Sequence, residues 1–238
     1  MDRELVSIVI PVFEEGENIV ECLGGLARAL SGVPHEILIC YDQEGDSTLA
    51  AIRGMDSPPE NLRLVKNDLG PGPGFAMRAG FAAAGGDVVV SFMADLCDPP
   101  EVVVKMAKKV RAGAAVVGGV RGPEDLGTGL KGGLKRLAGF ALEKAGFFAA
   151  DPTNNFRAYD AGFLARARPL ARGFDLALEL TVKAWSQGLS VEGVASSYSE
   201  RSRGESSFRL SRDFAGYLRW FSLALARALA ARPRAPLP

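Results

Sequence analysis

Five short apolar runs, each followed by a stretch of helical periodicity, set the tightest limit on what this chain can fold into. They cover residues 5–12, 36–41, 61–66, 87–92 and 114–120, with about 20–25 residues between one run and the next. The first is continuous and rich in β-branched residues up to Pro11, the pattern of a strand covered on both faces of a parallel sheet. Helices are expected over 17–31, 47–54 and 74–84, and a fourth opening at Pro99-Pro100. Proline is tolerated in a first helical turn, where its missing N–H would have no partner anyway. Alternation at this spacing predicts an α/β fold: a doubly wound, mostly parallel sheet with right-handed crossovers, flanked by helices. Further on, helices are expected over 129–147, 175–188 and 211–231, and strands over 154–159 and 190–196. Two parts follow, a domain over residues 1–210 and an amphipathic basic helix with a frayed tail over 211–238.

Ligands of such sheets bind beyond the carboxyl ends of the strands. The segments to inspect there are 11–15, 42–46 and 93–98, and all three are rich in carboxylates. Met93-Ala94-Asp95-Leu96-Cys97-Asp98-Pro99-Pro100 is the most informative. Carboxylates between a central strand and a helix can hold Mg²⁺, which needs only one or two of them beside substrate phosphates. Asp98 also suits a plain N-cap of the next helix, whereas Asp95 sits too far back to be that cap. Gly70-Pro71-Gly72-Pro73-Gly74 lacks the Gly-Lys-Ser/Thr ending of a phosphate loop, and no Gly-x-Gly-x-x-Gly follows the first strand. Its glycines suit tight turns and a close approach to a ligand or to the neighbouring acidic loop.

Composition narrows the classes further. With 47% hydrophobic and 24% charged residues the chain can bury a core and is not disordered. Its 28 basic and 28 acidic side chains argue against nucleic acid as a partner, but the balance is uneven. Residues 1–200 carry 20 basic and 26 acidic side chains, and residues 201–238 carry eight and two. A basic end on an acidic body suits contact with an anionic surface. The charged start Met1-Asp2-Arg3-Glu4 leads to the expectation of no signal peptide, and no run of 18 apolar residues suggests a membrane span. Cys22, Cys40 and Cys97 suit reduced thiols rather than a disulfide framework. The only histidine, His35, is read as a surface residue, so a Ser-His-Asp triad is not expected. Trp185 and Phe163 are read as core.

Six segments in order resemble the family-two inverting glycosyltransferases of the GT-A fold, within them the dolichol-phosphate mannosyltransferase and polyprenyl-phosphate branch. They are Ile10-Pro11-Val12-Phe13-Glu14-Glu15; Asp42 with Asp46; Gly72-Pro73-Gly74 before Arg78-Ala79-Gly80; Ala94-Asp95-Leu96-Cys97-Asp98-Pro99-Pro100-Glu101; residues 151–159 with Asn154-Asn155-Phe156-Arg157; and Arg201-Ser202-Arg203-Gly204-Glu205-Ser206. The resemblance implies a nucleotide-sugar donor, UDP- or GDP-linked, with Pro11, Phe13, Glu15, Asp42 and Ala94 around its nucleoside. It implies Mg²⁺ or Mn²⁺ on Asp95, with help from Asp98, and Arg121 and Arg201 facing the donor and acceptor phosphates. The implied acceptor is a polyprenyl or dolichyl phosphate. Guanidinium groups grip phosphates in a bidentate manner and stabilise departing charge. Met93 takes the first place of the family's usual Asp-Ala-Asp, and Ser207 stands where Lys is common, with Arg209 two residues on. A hydroxyl acceptor would instead need a general base, for which Glu179 or Asp151 is available. A non-catalytic nucleotide-sugar binding protein is the other alternative.

Between Arg212 and Arg232, Phe214, Tyr217, Leu218, Phe221, Leu225 and Leu229 recur at three- and four-residue spacing, with Trp220 and Arg219 and Arg227 among them. Such a helix lies in a membrane interface, or packs on its own core or on a second copy in a homo-oligomer. The location that follows is cytoplasmic, peripherally associated with the membrane.

Overall fold

A computed structural model describes residues 4–122, 154–197, Ser199 and 210–230, with side chains of the last helix between residues 215 and 227. β1 (Val6–Pro11) is buried along its whole length and lies between β2 (His35–Tyr41) and β4 (Val88–Ser91), both parallel to it. β3 (Leu62–Lys66) pairs with β2 at one edge. On the other side β6 (Arg157–Asp160) runs antiparallel between β4 and β5 (Val116–Val120), and β7 (Val191–Ala195) lies parallel to β5. The order is β3-β2-β1-β4-β6-β5-β7. Strand order reverses at β1 and β4, so their carboxyl ends form the topological switch point where such sheets bind ligands.

Alternate residues of each central strand feed opposite layers. Ile8, Ile10, Ile37 and Ile39 pack with α1 (Ile19–Ala29), α2 (Ser47–Arg53) and α4 (Val102–Arg111). Val9, Leu38 and Cys40 pack with α3 (Pro73–Ala83), α5 (Ala161–Ala167) and α6 (Leu176–Ser186). Gly80 lets α3 lie flat on the sheet, since a Cβ there would sit 2.3 Å from Val9 Cγ1 and 2.5 Å from Cys40 Sγ.

Two starts and one short helix depart from the sequence reading. The helix expected at Pro99-Pro100 starts at Val102, because the two prolines form a preceding turn whose carbonyls accept from Val102 and Val103 N–H. Its N-cap is Glu101, so Asp98 does not cap it. β6 starts at Arg157 rather than at 154, because the Asn154 side chain bonds Phe156 N–H and the Gly119 carbonyl in place of ladder partners. The short α5 was not expected; its signal is Asp160, whose Oδ1 accepts from Phe163 N–H at 2.6 Å. The helix expected over 129–147 lies outside the described residues.

The last helix, α7 (Leu210–Ala230), packs on α6 through a cluster of Leu178, Val182, Trp220 and Ala224. Tyr217 Oη donates to the Phe174 carbonyl at 3.0 Å. Gly216 gives α7 its close approach, since a Cβ there would sit 2.3 Å from Asp175 Oδ2. Trp220 is thus the buried anchor of the helix. Leu218 and Leu225 point outward, 53% and 46% exposed. Phe163 is buried as expected, while Trp185 is half-buried against the α6–α7 cluster. His35 opens β2 half-buried, its Nδ1 2.7 Å from the Val33 carbonyl. Among the described residues no helix is long and apolar enough to cross a membrane.

Candidate active site

The sheet register sets Pro11 level with Cys40 and Val9 level with Ser91, so the chain leaves β1, β2 and β4 along one edge. Two of the three described non-glycine residues with positive φ stand there, Glu14 (φ 55°) after β1 and Leu96 (φ 61°) after β4. Left-handed backbone costs a side-chain-bearing residue about 1–2 kcal/mol, and such strain persists at ligand sites where the surroundings hold it. The first turn is held by α2. Glu14 N–H donates to Asp46 Oδ2 at 3.1 Å and Glu15 N–H to Thr48 Oγ1 at 3.0 Å. Asp46 also caps α2 through Thr48 N–H, which makes it a bracket between two loops. Beside this turn Phe13 stands 59% exposed, whereas Pro11 and Ala94 are buried and set only the backbone path.

Three carboxylates face this edge in different settings. Asp42, at the end of β2, accepts from Asn67 Nδ2 at 2.7 Å on one oxygen and from Gly72 N–H at 3.0 Å on the other. The glycine-rich loop therefore folds onto the acidic loop, and its next glycine packs the other way. Gly74 N–H donates to the Arg172 carbonyl at 3.1 Å, and a Cβ on Gly74 would sit 2.4 Å from the Arg172 carbonyl carbon. Glu15 is steadied by Asn18 Nδ2 at 2.8 Å. Asp95 is half-buried, and its Oδ1 accepts from Cys97 N–H at 3.2 Å, closing an Asx turn around the strained Leu96. Burial pushes the Cys22 thiol up to about 12, and the charges of Asp95 and Glu15 push the same way. The β1 and β4 loops thus bring both carboxylates to bear on one buried sulfur.

Asp98 is buried, with Oδ1 3.7 Å from Arg121 Nη2. Arg121 Nη2 also donates to Asn154 Oδ1 at 3.2 Å. The carboxylate expected to assist a metal is therefore set against a guanidinium. Among the described residues no three His, Cys, Asp or Glu side chains gather into a cation site. Asn154, which sequence reading left without a role, holds Arg121 Nη2, Phe156 N–H and the Gly119 carbonyl together; its signal was a pair of asparagines ahead of β6. Arg201, Ser207 and Asp151 lie outside the described residues. Ser199 N–H donates to the Cys97 carbonyl at 3.0 Å, which carries the chain after β7 back to the β4 loop.

Glu179, a candidate base, is fully buried. Its Oε1 accepts from Leu170 N–H at 2.8 Å and pairs with Lys183 at 2.5 Å, and its Oε2 accepts from Ala171 N–H at 2.6 Å. It fastens the 167–171 loop to α6 with both of its oxygens engaged.

Residues 7–172 match the family described as Glycosyl transferase family 2. The chain belongs to that family. A dolichol-phosphate mannosyltransferase of Pyrococcus furiosus is 27% identical over 220 residues, covering 86% of this chain and 59% of that protein. An undecaprenyl-phosphate 4-deoxy-4-formamido-L-arabinose transferase of Enterobacter sp. (strain 638) is 34% identical over 119 residues, 49% of this chain and 36% of that one. The family-2 chain therefore spans less than two thirds of these relatives. Glucosyl-3-phosphoglycerate synthase from Mycobacterium tuberculosis, solved with Mn²⁺, UDP-glucose and glycerol 3-phosphate, shares the fold at a TM-score of 0.68 and 17% identity, covering 95% of this chain and 80% of that one. The GT-A architecture expected from the sequence is the one found.

Proposed function

We propose that this family-2 chain is an inverting glycosyltransferase that moves a sugar from a UDP- or GDP-linked donor to a polyprenyl or dolichyl phosphate at the cytoplasmic face of a membrane. One observation carries the reading: an exposed aromatic ring (Phe13), a fixed carboxylate (Asp42), an accessible carboxylate (Asp95) and a guanidinium (Arg121) converge on one sheet edge beside two strained turns. An aromatic face with acceptor oxygens from Asp42 and Glu15 suits a nucleoside. Pro11 and Ala94 shape the backbone around it.

Asp95 fits Mg²⁺ or Mn²⁺ in the manner of a hard cation bound by one carboxylate and substrate phosphates. Asp98 serves the site by holding Arg121. When bound, the cation neutralises charge on the departing diphosphate. Arg121 offers its guanidinium to a phosphate oxygen, and Arg201 has the same role toward the acceptor. A phosphate oxygen of the acceptor forms the new bond to the anomeric carbon. The anomeric C–O bond to the diphosphate breaks, and UDP or GDP leaves with that electron pair. A lipid phosphate is already ionised near neutral pH, so no general base is needed. Glu179 is engaged with the 167–171 loop, so a hydroxyl acceptor would have to draw on Asp151 as its base.

Peripheral attachment is assigned to the outer face of α7, where Leu218 and Leu225 stand exposed, while Arg219 lies over the Trp220 ring and Arg227 donates to the Ser186 carbonyl at 3.2 Å. Exposed leucines on the outward side of an amphipathic helix suit insertion into a bilayer interface. Calorimetry with UDP and GDP, with and without Mn²⁺, tests the donor half of the proposal. Wild type is expected to bind one of them more tightly with Mn²⁺, and Asp95→Ala to lose that metal dependence with its melting temperature kept. Failure of both nucleotides to bind would sink the proposal.

A further inference from the structure

We infer that Asn67 is a positioning residue for the donor, fixing the Asp42 carboxylate in the orientation that a nucleoside meets. The inference rests on the proposed reading in which Asp42 contacts the donor. Asn67 follows β3 and is 6% exposed. Every polar atom of its side chain is used. Nδ2 donates to Asp42 Oδ1 at 2.7 Å and to the Gly70 carbonyl at 2.7 Å, and Oδ1 accepts from Leu69 N–H at 3.0 Å. Its backbone N–H donates to the Tyr41 carbonyl at 2.8 Å, which ties it to the residue before Asp42.

Two of these bonds, to the Gly70 carbonyl and from Leu69 N–H, close the 67–70 loop, and the backbone bond to Tyr41 extends the β2–β3 pairing. The bond to Asp42 is additional and acts on another strand. With Gly72 N–H on the opposite oxygen, it places one N–H on each carboxylate oxygen. An ionised carboxylate accepts about four hydrogen bonds. The two described bonds fix its plane and leave acceptor capacity on each oxygen for hydroxyl or N–H groups of a ligand. A side chain locked by such neighbours binds without first giving up rotamer freedom.

The test uses the full chain, calorimetry with UDP and GDP in Mn²⁺, and competition by magnesium pyrophosphate, which has no nucleoside. Asn67→Ala removes the side chain. Asn67→Asp keeps its shape and the acceptor for Leu69 N–H but withdraws the donor from Asp42. For the nucleotide that wild type binds, both variants are expected to weaken affinity about tenfold, the size of losing a hydrogen bond to a charged group. Pyrophosphate affinity should stay within about twofold, a split that general loosening of the fold would not give. Asp42→Ala should show the same split. If wild type and Asp42→Ala behave so but Asn67→Asp, folded by its melting temperature, binds nucleotide like wild type, the role of Asn67 is overturned and the donor reading stands. Equal loss of nucleotide and pyrophosphate in Asn67→Asp also overturns it. If wild type binds neither nucleotide, both readings fall together.

Discussion

Gly74→Ala tests whether the glycine-rich loop is a packing joint. The added Cβ would stand 2.4 Å from the Arg172 carbonyl carbon, 2.7 Å from Gly173 N and 2.8 Å from the Arg172 carbonyl oxygen. All three are backbone atoms, so no flexible side chain can swing away. Carbon atoms rest about 3.5–4.0 Å apart, and the two segments must separate by about 1 Å. That movement breaks the 3.1 Å bond from Gly74 N–H to Arg172 and strains the 3.0 Å bond from Gly72 N–H to Asp42. Overpacking costs about 1–3 kcal/mol and each lost hydrogen bond about 1 kcal/mol, together about 3 kcal/mol. For a chain of this size the melting temperature falls by about 6–12 °C. Differential scanning calorimetry measures it, with Gly45→Ala as control, because a Cβ on Gly45 meets nothing within 4 Å. The control should melt within about 2 °C of wild type. Gly74→Ala melting as high as the control would refute the packing argument. Nucleotide affinity should fall in Gly74→Ala as well, since the displaced loop carries a donor to Asp42.

Other outcomes follow from the same geometry. Glu179→Ala strips its acceptor from Leu170 N–H and Ala171 N–H and leaves Lys183 without its carboxylate, so a loss of about 3–5 kcal/mol is expected in denaturant unfolding. A normal melting curve with abolished turnover would instead mark Glu179 as a catalytic base. Burial raises the Glu36 carboxyl, but hydrogen bonds from Gly85 N–H, Ser7 and Arg63 outweigh it and hold the group below its usual range. Its folded value is lowered, so its stabilisation is complete above the ordinary glutamate pKa of about 4.3 and is lost as pH falls through the folded value. Glu36→Gln should therefore flatten the acid limb of the stability curve, and parallel curves would contradict the linkage. Replacing Leu218 and Leu225 together by Asp should leave the melting temperature within about 2 °C, both being exposed, yet abolish flotation with anionic vesicles. Unchanged flotation would remove α7 from membrane contact.

The parallel half of the fold was legible because β1, β2 and β4 are buried on both faces and their β-branched runs say so directly. The loops at their ends were legible for the same reason, since topology alone brings 12–15, 42–46 and 93–98 together. β6 was harder: a four-residue strand containing the fully buried Arg157 carries no apolar pattern, and nothing local declares that it runs antiparallel between β4 and β5. α6 hid the nature of Glu179. Residues Leu176 through Val182 are all buried, because the helix is covered by the sheet on one side and by α7 on the other. A lone helical glutamate read as a candidate base in sequence is a buried clasp in the fold. α7 misled in the opposite sense: its spacing suggested one apolar stripe, whereas Trp220 and Ala224 face α6 and Leu218 and Leu225 face away. Asp98 beside two prolines looked like a cap, and only the chain leaving β5 supplies the Arg121 that it meets.

The central proposal is sugar transfer to a lipid phosphate, and the most direct measurement is product formation. Purified chain is incubated with Mn²⁺, radiolabelled UDP- and GDP-sugars and polyprenyl phosphate in anionic vesicles, and the organic phase is counted and its anomeric configuration read by NMR. The account predicts a labelled polyprenyl-phosphate sugar of inverted configuration from one nucleotide class, lost in Asp95→Ala and Arg121→Ala. No lipid-linked product from any donor, with a folded chain and intact vesicles, would contradict it.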